Sequence, residues 1–185
     1  MKKKTFKSGT DAVLLFEHIK KYRSEKPLEF GCGEGMISSM YAELYPETQL
    51  TAIDINQHYT DKFIQYLQTN NLKNISVICG DILEFSIKTK SKFDLIFFNP
   101  PYYSVKEGKI SEDTFSLISK HQVLCSEDDF LISARRLLED NGRFCFIYPS
   151  FKIKTPLLDK IKNSGFINSN VHCTINRRFK ILELF

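Results

Sequence analysis

No apolar run in this chain approaches the length of a membrane span, and the first residues are lysines (Lys2, Lys3, Lys4, Lys7) rather than the apolar stretch of a secretory leader. The expectation is a cytoplasmic protein with no membrane partner. A C-x-x-C pair is also missing. Cys32, Cys79, Cys125, Cys145 and Cys173 are dispersed and odd in number. That usage argues for buried, reduced thiols and against zinc, so no metal is expected. Neither sign of charge dominates, with 26 Lys and Arg against 22 Asp and Glu. A net charge of +4 permits an anionic partner without demanding one. Linkers, repeats and low-complexity tracts are absent, and 185 residues at 42% hydrophobic and 26% charged fit one globular domain over 1–185.

What is present is organised around Phe93-Asp94-Leu95-Ile96-Phe97-Phe98-Asn99-Pro100-Pro101-Tyr102-Tyr103. The first six residues are apolar apart from Asp94, as in a buried parallel strand. The strand stops at the tetrapeptide, because proline lacks the N–H a ladder needs and pushes Asn99 toward extended backbone. The two prolines make a stiff loop with free carbonyls. The Asn99 side-chain oxygen and the Pro100 carbonyl can each accept one N–H of an electron-poor amine, and Tyr102 offers a face on which a flat ring can stack. A plain strand followed by an Asn-Pro turn would read the same way locally.

Residues 1–24 form a basic lead-in and a first helix, with Ser8, Gly9, Thr10 and Asp11 as capping residues ahead of Ala12, Val13, Leu14, Leu15, Phe16 and Ile19. A short strand, 27–30, enters Gly31-Cys32-Gly33-Glu34-Gly35. The next helix carries Ile37, Met40, Tyr41 and Leu44 at helical spacing. A strand over 49–55 ends at Asp54, a third helix is marked by Tyr59, Phe63, Tyr66 and Leu67, and a strand over 74–79 leads to Gly80-Asp81. Segment 104–124 is long, polar and without clear period, which suggests a substrate loop bringing Lys106, Lys109 and Lys120 toward phosphates. Ser126-x-x-Asp129 reads as a capping box for a helix through Leu138, stopped by Asn141-Gly142. A strand over 143–148, a helix over 155–163 and strands over 170–175 and 179–185 follow. Lys88, Lys90 and Lys92 read as a solvated charge run, and Arg177, Arg178 and Lys180 as edge-strand charges or phosphate contacts.

Strands and helices alternate throughout, which implies an α/β, doubly wound, mostly parallel sheet. Ligands in such sheets bind at the carboxyl ends of the central strands. Gly31 to Gly35, Asp54, Asp81 and Asn99 to Tyr102 all fall at predicted strand ends. Glu29-x-Gly31-x-Gly33-x-Gly35 brings backbone close to a ligand and is not the G-x-G-x-x-G of nicotinamide enzymes. Asp54 suits acceptance from two ribose hydroxyls, whereas Asp81 could take an exocyclic adenine amine or simply cap a helix.

Together, Glu29 to Gly35, Asp54, Gly80-Asp81-Ile82 and Asn99-Pro100-Pro101-Tyr102 resemble the successive motifs of class I S-adenosylmethionine-dependent methyltransferases, more narrowly the amino-methyltransferases with N-P-P-Y. The resemblance covers nearly the whole chain. It implies a Rossmann-like, seven-stranded sheet with the last strand antiparallel. It also implies S-adenosyl-L-methionine as cofactor, held by Thr10, Glu29, Phe30, Gly31, Cys32, Gly33, Asp54, Ile55, Asp81, Ile82 and Asn99, with catalysis at Asn99, Pro100, Pro101 and Tyr102. The segment 7–15, and Lys120-His121-Gln122 ahead of Asp128-Asp129-Phe130-Leu131, resemble the tRNA adenine-N6 methyltransferases that modify the adenine beside the anticodon of valine tRNA. RNA is then the expected partner, with His121 more a surface residue than a base. The alternatives are another planar nitrogen, such as a protein glutamine amide or guanine N2 of rRNA, and a non-catalytic RNA-binding module on the same fold.

Overall fold

The structure is a computed structural model that describes residues 10–101, 125–175 and 177–185. The expectations placed on Met1 to Gly9, on Tyr102 and on the loop 104–124 with Lys106, Lys109, Lys120 and His121 lie outside the described residues.

Seven strands form one sheet: β1 (Pro27–Phe30), β2 (Leu50–Asp54), β3 (Ile75–Cys79), β4 (Phe93–Phe98), β5 (Leu138–Pro149), β6 (Ser169–Cys173) and β7 (Phe179–Leu184). Their order is β3-β2-β1-β4-β5-β7-β6, with β7 antiparallel to both of its neighbours and the other pairings parallel. Among the described residues the α-helices are α1 (Thr10–Ile19), α2 (Met36–Leu44), α3 (Gln57–Asn70), α4 (Ile82–Lys88), α5 (Glu127–Leu137) and α6 (Thr155–Asn163). Among the described residues no helix is long and apolar enough to cross a membrane.

Both faces of the sheet are covered, which is why β1 and β4 are apolar apart from Glu29 and Asp94. Alternate side chains of each strand go to opposite faces. Leu28, Phe30, Ile96, Phe98, Phe144 and Phe146 pack with Ile82 of α4, Phe130, Leu131 and Ala134 of α5, and Leu157 and Ile161 of α6. Leu95, Phe97, Cys145 and Ile147 pack with Leu15, Phe16 and Ile19 of α1, Ile37 and Tyr41 of α2, and Phe63 and Leu67 of α3. The sheet is doubly wound as expected.

Several local expectations are corrected. Residues 82–88 form α4, a helix the sequence did not reveal because it is only two turns long. Asp81 caps it, and Lys88 inside it pairs with Glu84. Lys92 is exposed, as expected, and its ammonium donates to the Arg136 carbonyl. The capping box at Ser126 and Asp129 forms, but α5 ends at Leu137 and not at Asn141-Gly142. Those two residues lie within β5, where the pairing to β4 jumps from Phe93↔Leu138 to Leu95↔Arg143. On α3, Tyr59 is exposed while Thr60, Phe63 and Leu67 face the core. Cys32 and Cys145 are buried, whereas Cys79 and Cys173 are exposed, so the expectation of buried thiols holds for only part of the set. Arg177 and Arg178 sit in the turn before β7, and Lys180 is on an interior strand; the edge strand on this side is β6.

Two further carboxylates fasten the sheet, one near the start of β4 and one on β7. Asp94, the lone polar residue of β4, accepts the Ser24 hydroxyl, the Glu25 N–H at 2.9 Å and the Lys26 N–H at 3.1 Å. It therefore fixes the approach to β1. Glu183 on β7 is 2% exposed. Its Oε1 accepts Tyr22 at 2.8 Å and pairs with Arg143, and its Oε2 lies 2.9 Å from His172 Nε2 and 3.5 Å from His18 Nε2. Burial pushes the Glu183 carboxyl up, but hydrogen bonds from Tyr22, Arg143 and His172 outweigh it and hold the group below its usual range. Burial, with Lys21 and His172 nearby, lowers His18 to about 4.

Asp94→Ala leaves two strand-entry amides and a hydroxyl without their acceptor. Chemical denaturation of this variant should show a loss of about 1–3 kcal/mol, the range for charge-assisted hydrogen bonds. Asp94→Asn, which keeps one acceptor oxygen, should lose less. Wild-type stability in Asp94→Ala would mean that the β1 entry is held by the core alone.

Candidate active site

Four strand ends meet along one edge of the sheet. Parallel pairing sets Phe30 level with Ile53 and with Phe98, and Asp54 level with Cys79. Gly31, Asp54, Gly80 and Asn99 therefore emerge side by side. Strand order runs outward from β1 through β2 and β3 on one side, and from β4 to β5 on the other. The switch point lies between β1 and β4, where an open α/β sheet leaves its crevice.

The glycine loop is tied down by its neighbours. Cys32 N–H donates to the Ile53 carbonyl at 3.1 Å, and Gly35 N–H closes a turn on the Cys32 carbonyl at 2.8 Å. Gly33 N–H donates to Asp54 Oδ2 at 2.8 Å, while Asp54 Oδ1 accepts the Asn56 N–H at 2.8 Å. Asp54 thus shapes the loop, and each of its oxygens keeps a second lone pair. The glycines differ in what they serve. At Gly33, with φ of +55°, an added Cβ would meet nothing within 4 Å, so this position opens onto the crevice. At Gly35, with φ of +84°, a Cβ would lie 2.0 Å from the Phe63 ring. That close approach comes from α3 and not from a ligand.

Glu29 lies beneath the loop at 2% exposure, and its Oε2 accepts the Ser38 N–H at 3.0 Å and the Ser38 hydroxyl. Burial pushes its carboxyl up to about 8; the Asp54 charge adds to this and the Ser38 bonds oppose it. Asp81 takes the capping role the sequence allowed, with Oδ1 accepting the Glu84 N–H at 2.9 Å and the other oxygen unused by that cap. Burial, with Asp129 and Asp81 close by, pushes the Cys125 thiol up to about 12.

The remaining expected residues divide clearly. Phe30 is fully buried, with its ring edge-on to Phe98 at 6.0 Å, so only its backbone can face a ligand. Ile82 and Cys32 are also buried, and burial pushes the Cys32 thiol far up. Ile55 is half-buried at the end of β2, its carbonyl 3.8 Å from Cys79 Sγ. Asn99 is half-buried, Pro100 buried and Pro101 exposed. Thr10 is exposed at the start of α1, and no hydrogen bond joins it to the glycine loop among the described residues. Sequence reasoning missed Ser38, Asn56 and Phe63. Only Asn56 carried a local signal, as an asparagine that caps α3 by accepting the His58 N–H.

The fold is the Rossmann-like, seven-stranded sheet of class I methyltransferases. Residues 3–183 match the methyltransferase small domain model, and the chain belongs to that family. Relatives named tRNA1(Val) (adenine(37)-N6)-methyltransferase include one from a Flavobacteriaceae bacterium, 31% identical over 80% of this chain and 61% of its own length. Another, from Vibrio vulnificus, is 29% identical over 76% of this chain and 58% of its own. The chain thus spans about three fifths of the curated relatives it matches. Among solved structures, TrmN from Thermus thermophilus superposes with a TM-score of 0.63 at 18% identity, covering 94% of this chain and 47% of that one. A TehB-like SAM-dependent methyltransferase from Corynebacterium glutamicum gives 0.63 at 16% identity, covering 96% and 89%.

S-adenosyl-L-methionine is the methyl donor that this fold and family imply. The chain fits it: Gly33 opens onto the crevice, and the Asp54 carboxylate beside it retains acceptor capacity for hydroxyls.

Asp54→Ala should weaken S-adenosyl-L-methionine by roughly 2–3 kcal/mol in calorimetry, the scale of charge-assisted hydrogen bonds. Because Gly33 and Asn56 lose their acceptor, it should also melt earlier than wild type. Unchanged affinity would remove Asp54 from the binding set. Glu29 supplies a pH signature. Its folded value, about 8, exceeds the ordinary 4.5. Its contribution to stability is therefore full below about pH 4.5 and is lost as pH rises toward 8. Relative to Glu29→Gln, the wild type should lose up to a few kcal/mol across that window in urea titrations without cofactor. Parallel profiles would show that the carboxyl ionises as easily folded as unfolded.

Proposed function

We propose that this protein transfers a methyl group from S-adenosyl-L-methionine to the exocyclic N6 amine of an adenine in RNA, and that the RNA is a tRNA modified near its anticodon. The observation that carries this reading is the exit of β4. Phe98 is in register with Phe30, so Asn99-Pro100-Pro101 leaves the sheet beside the glycine loop at the switch point. The names of the curated relatives support the choice of adenine and of tRNA.

When bound, the cofactor supplies an electrophilic methyl group on a sulfonium. Asn99 Oδ1 and the Pro100 carbonyl each accept one N–H of the amine and leave its lone pair directed toward the cofactor. The adenine leaves its stack to reach them and rests on the Tyr102 ring. As the nitrogen gains positive charge these two acceptors bind it more strongly, and being preorganised they need no rearrangement. No base is required before transfer, since the proton can leave afterwards to solvent. Lys106, Lys109 and Lys120 hold phosphates and position the RNA without reading its sequence.

The direct test follows labelled methyl groups into total tRNA and total protein, with nucleoside analysis of the product. Label in N6-methyladenosine of tRNA is the expected outcome; label in protein alone, or none, would overturn it. Within that assay Asn99→Ala should cost roughly 10²–10³-fold in kcat, the scale for one preorganised transition-state hydrogen bond. Tyr102→Ala should cost about 1–3 kcal/mol, expressed largely as weaker RNA binding. An Asn99→Ala enzyme with near wild-type kcat would show that the acceptor pair does not steer the amine.

A further inference from the structure

Away from the glycine edge, three side chains from the two ends of the chain converge under the C-terminal strands. His18 closes α1, His172 lies on β6 and Glu183 on β7. The ligand atoms of all three fall within 4.8 Å of one another. His18 has only 9% of its side chain exposed, and its Nε2 is buried without a hydrogen-bond partner among the described residues. A buried imidazole nitrogen left in this way is costly unless something occupies the space it faces.

We propose that His18 Nε2, His172 Nε2 and Glu183 Oε2 form a binding site for a zinc-type transition-metal ion. Tetrahedral zinc, with bonds of 2.0–2.1 Å, separates its ligand atoms by about 3.3 Å. The two imidazole-to-carboxylate separations, 2.9 Å and 3.5 Å, bracket that value. The carboxylate is already oriented for the task, because Tyr22 and Arg143 hold Oε1 and turn Oε2 toward the histidines. His172 has 36% of its side chain exposed, so the fourth position is open to water.

The surroundings narrow the choice of ion. Lys21 and Arg143 place positive charge close to the cluster. That repulsion acts on every cation, and hard ions, which depend on several oxygen ligands, find only one carboxylate here to offset it. Imidazole-seeking ions such as Zn²⁺ and Co²⁺ fit two nitrogens and one oxygen. Binding displaces whatever proton His172 Nε2 shares with Glu183 and releases it to solvent. The ion would clamp α1 onto the β6–β7 hairpin, joining the first described helix to the last strand. The expectation of no metal rested on the dispersed cysteines, and this site uses no sulfur.

The test uses the full chain, stripped with chelator and titrated with Zn²⁺ alone and with Co²⁺ alone. One Zn²⁺ per chain, a rise in melting temperature on adding Zn²⁺, and a visible tetrahedral Co²⁺ spectrum without thiolate charge-transfer bands are expected. His172→Ala removes a partly exposed ligand and should fold; it should bind Zn²⁺ at least about 100-fold more weakly and lose the thermal shift. His18→Ala should do the same. Absence of binding at micromolar Zn²⁺ would overturn the site. So would equal binding by wild type and both variants, or binding that vanishes in Cys79→Ser or Cys173→Ser but survives in His172→Ala. These readouts are independent of methyl transfer, so the proposed activity can fail while the metal site stands, and the reverse.

Discussion

The register between β1 and β4 is the constraint on which the rest depends. Pro27 faces Leu95 at one end and Phe30 faces Phe98 at the other. Were the pairing to slip by one residue, every side chain of β1 would change faces, and Leu28 and Phe30 would leave the cluster formed with α4, α5 and α6. Asp94 secures the incoming end by gathering Ser24, Glu25 and Lys26. At the outgoing end the pairing brings the glycine loop beside Asn99. The packing that fixes the core and the geometry that builds the crevice are thus one arrangement.

Carboxylates do much of the remaining organisation, in different ways set by their surroundings. Asp54 holds the loop through Gly33 and Asn56 while keeping acceptor capacity. Glu29, two residues before the loop, is buried against Ser38 and tends to keep its proton near neutrality. Asp81 caps a helix and Glu183 is held ionised by three donors. Residue type alone does not distinguish these behaviours. Desolvation and the count of donors do.

The C-terminal hairpin extends this logic to the far side of the sheet. Because β7 runs antiparallel between β5 and β6, its Glu183 faces Tyr22 and Arg143 in the middle of the sheet and not at an edge. The same placement brings His172 to His18, with ring centroids 4.5 Å apart. A cluster assembled from α1, β5, β6 and β7 couples the start of the described chain to its end. It lies apart from the crevice lined by Gly33 and Asp54.

Much of this was legible without coordinates, because it rests on local physics. Largely apolar runs meant covered parallel strands, and glycines and prolines at their ends marked where the chain leaves the sheet. The Ser126 box announced α5, and the strand-end positions of Gly31, Asp54, Asp81 and Asn99 followed from counting residues along each run. Family resemblance supplied the antiparallel last strand. What only the tertiary structure decided involves partners distant in sequence. Phe63 explains Gly35, Ser38 offsets part of the burial of Glu29, and Asp94 reaches back to Ser24. Exposure of Cys79 and Cys173, the interior position of Lys180 and the meeting of His18, His172 and Glu183 depend on strand order, which no local pattern encodes. A short helix such as α4 escapes for the opposite reason: two turns are too few for a period to emerge, and its cap at Asp81 was equally a ligand candidate.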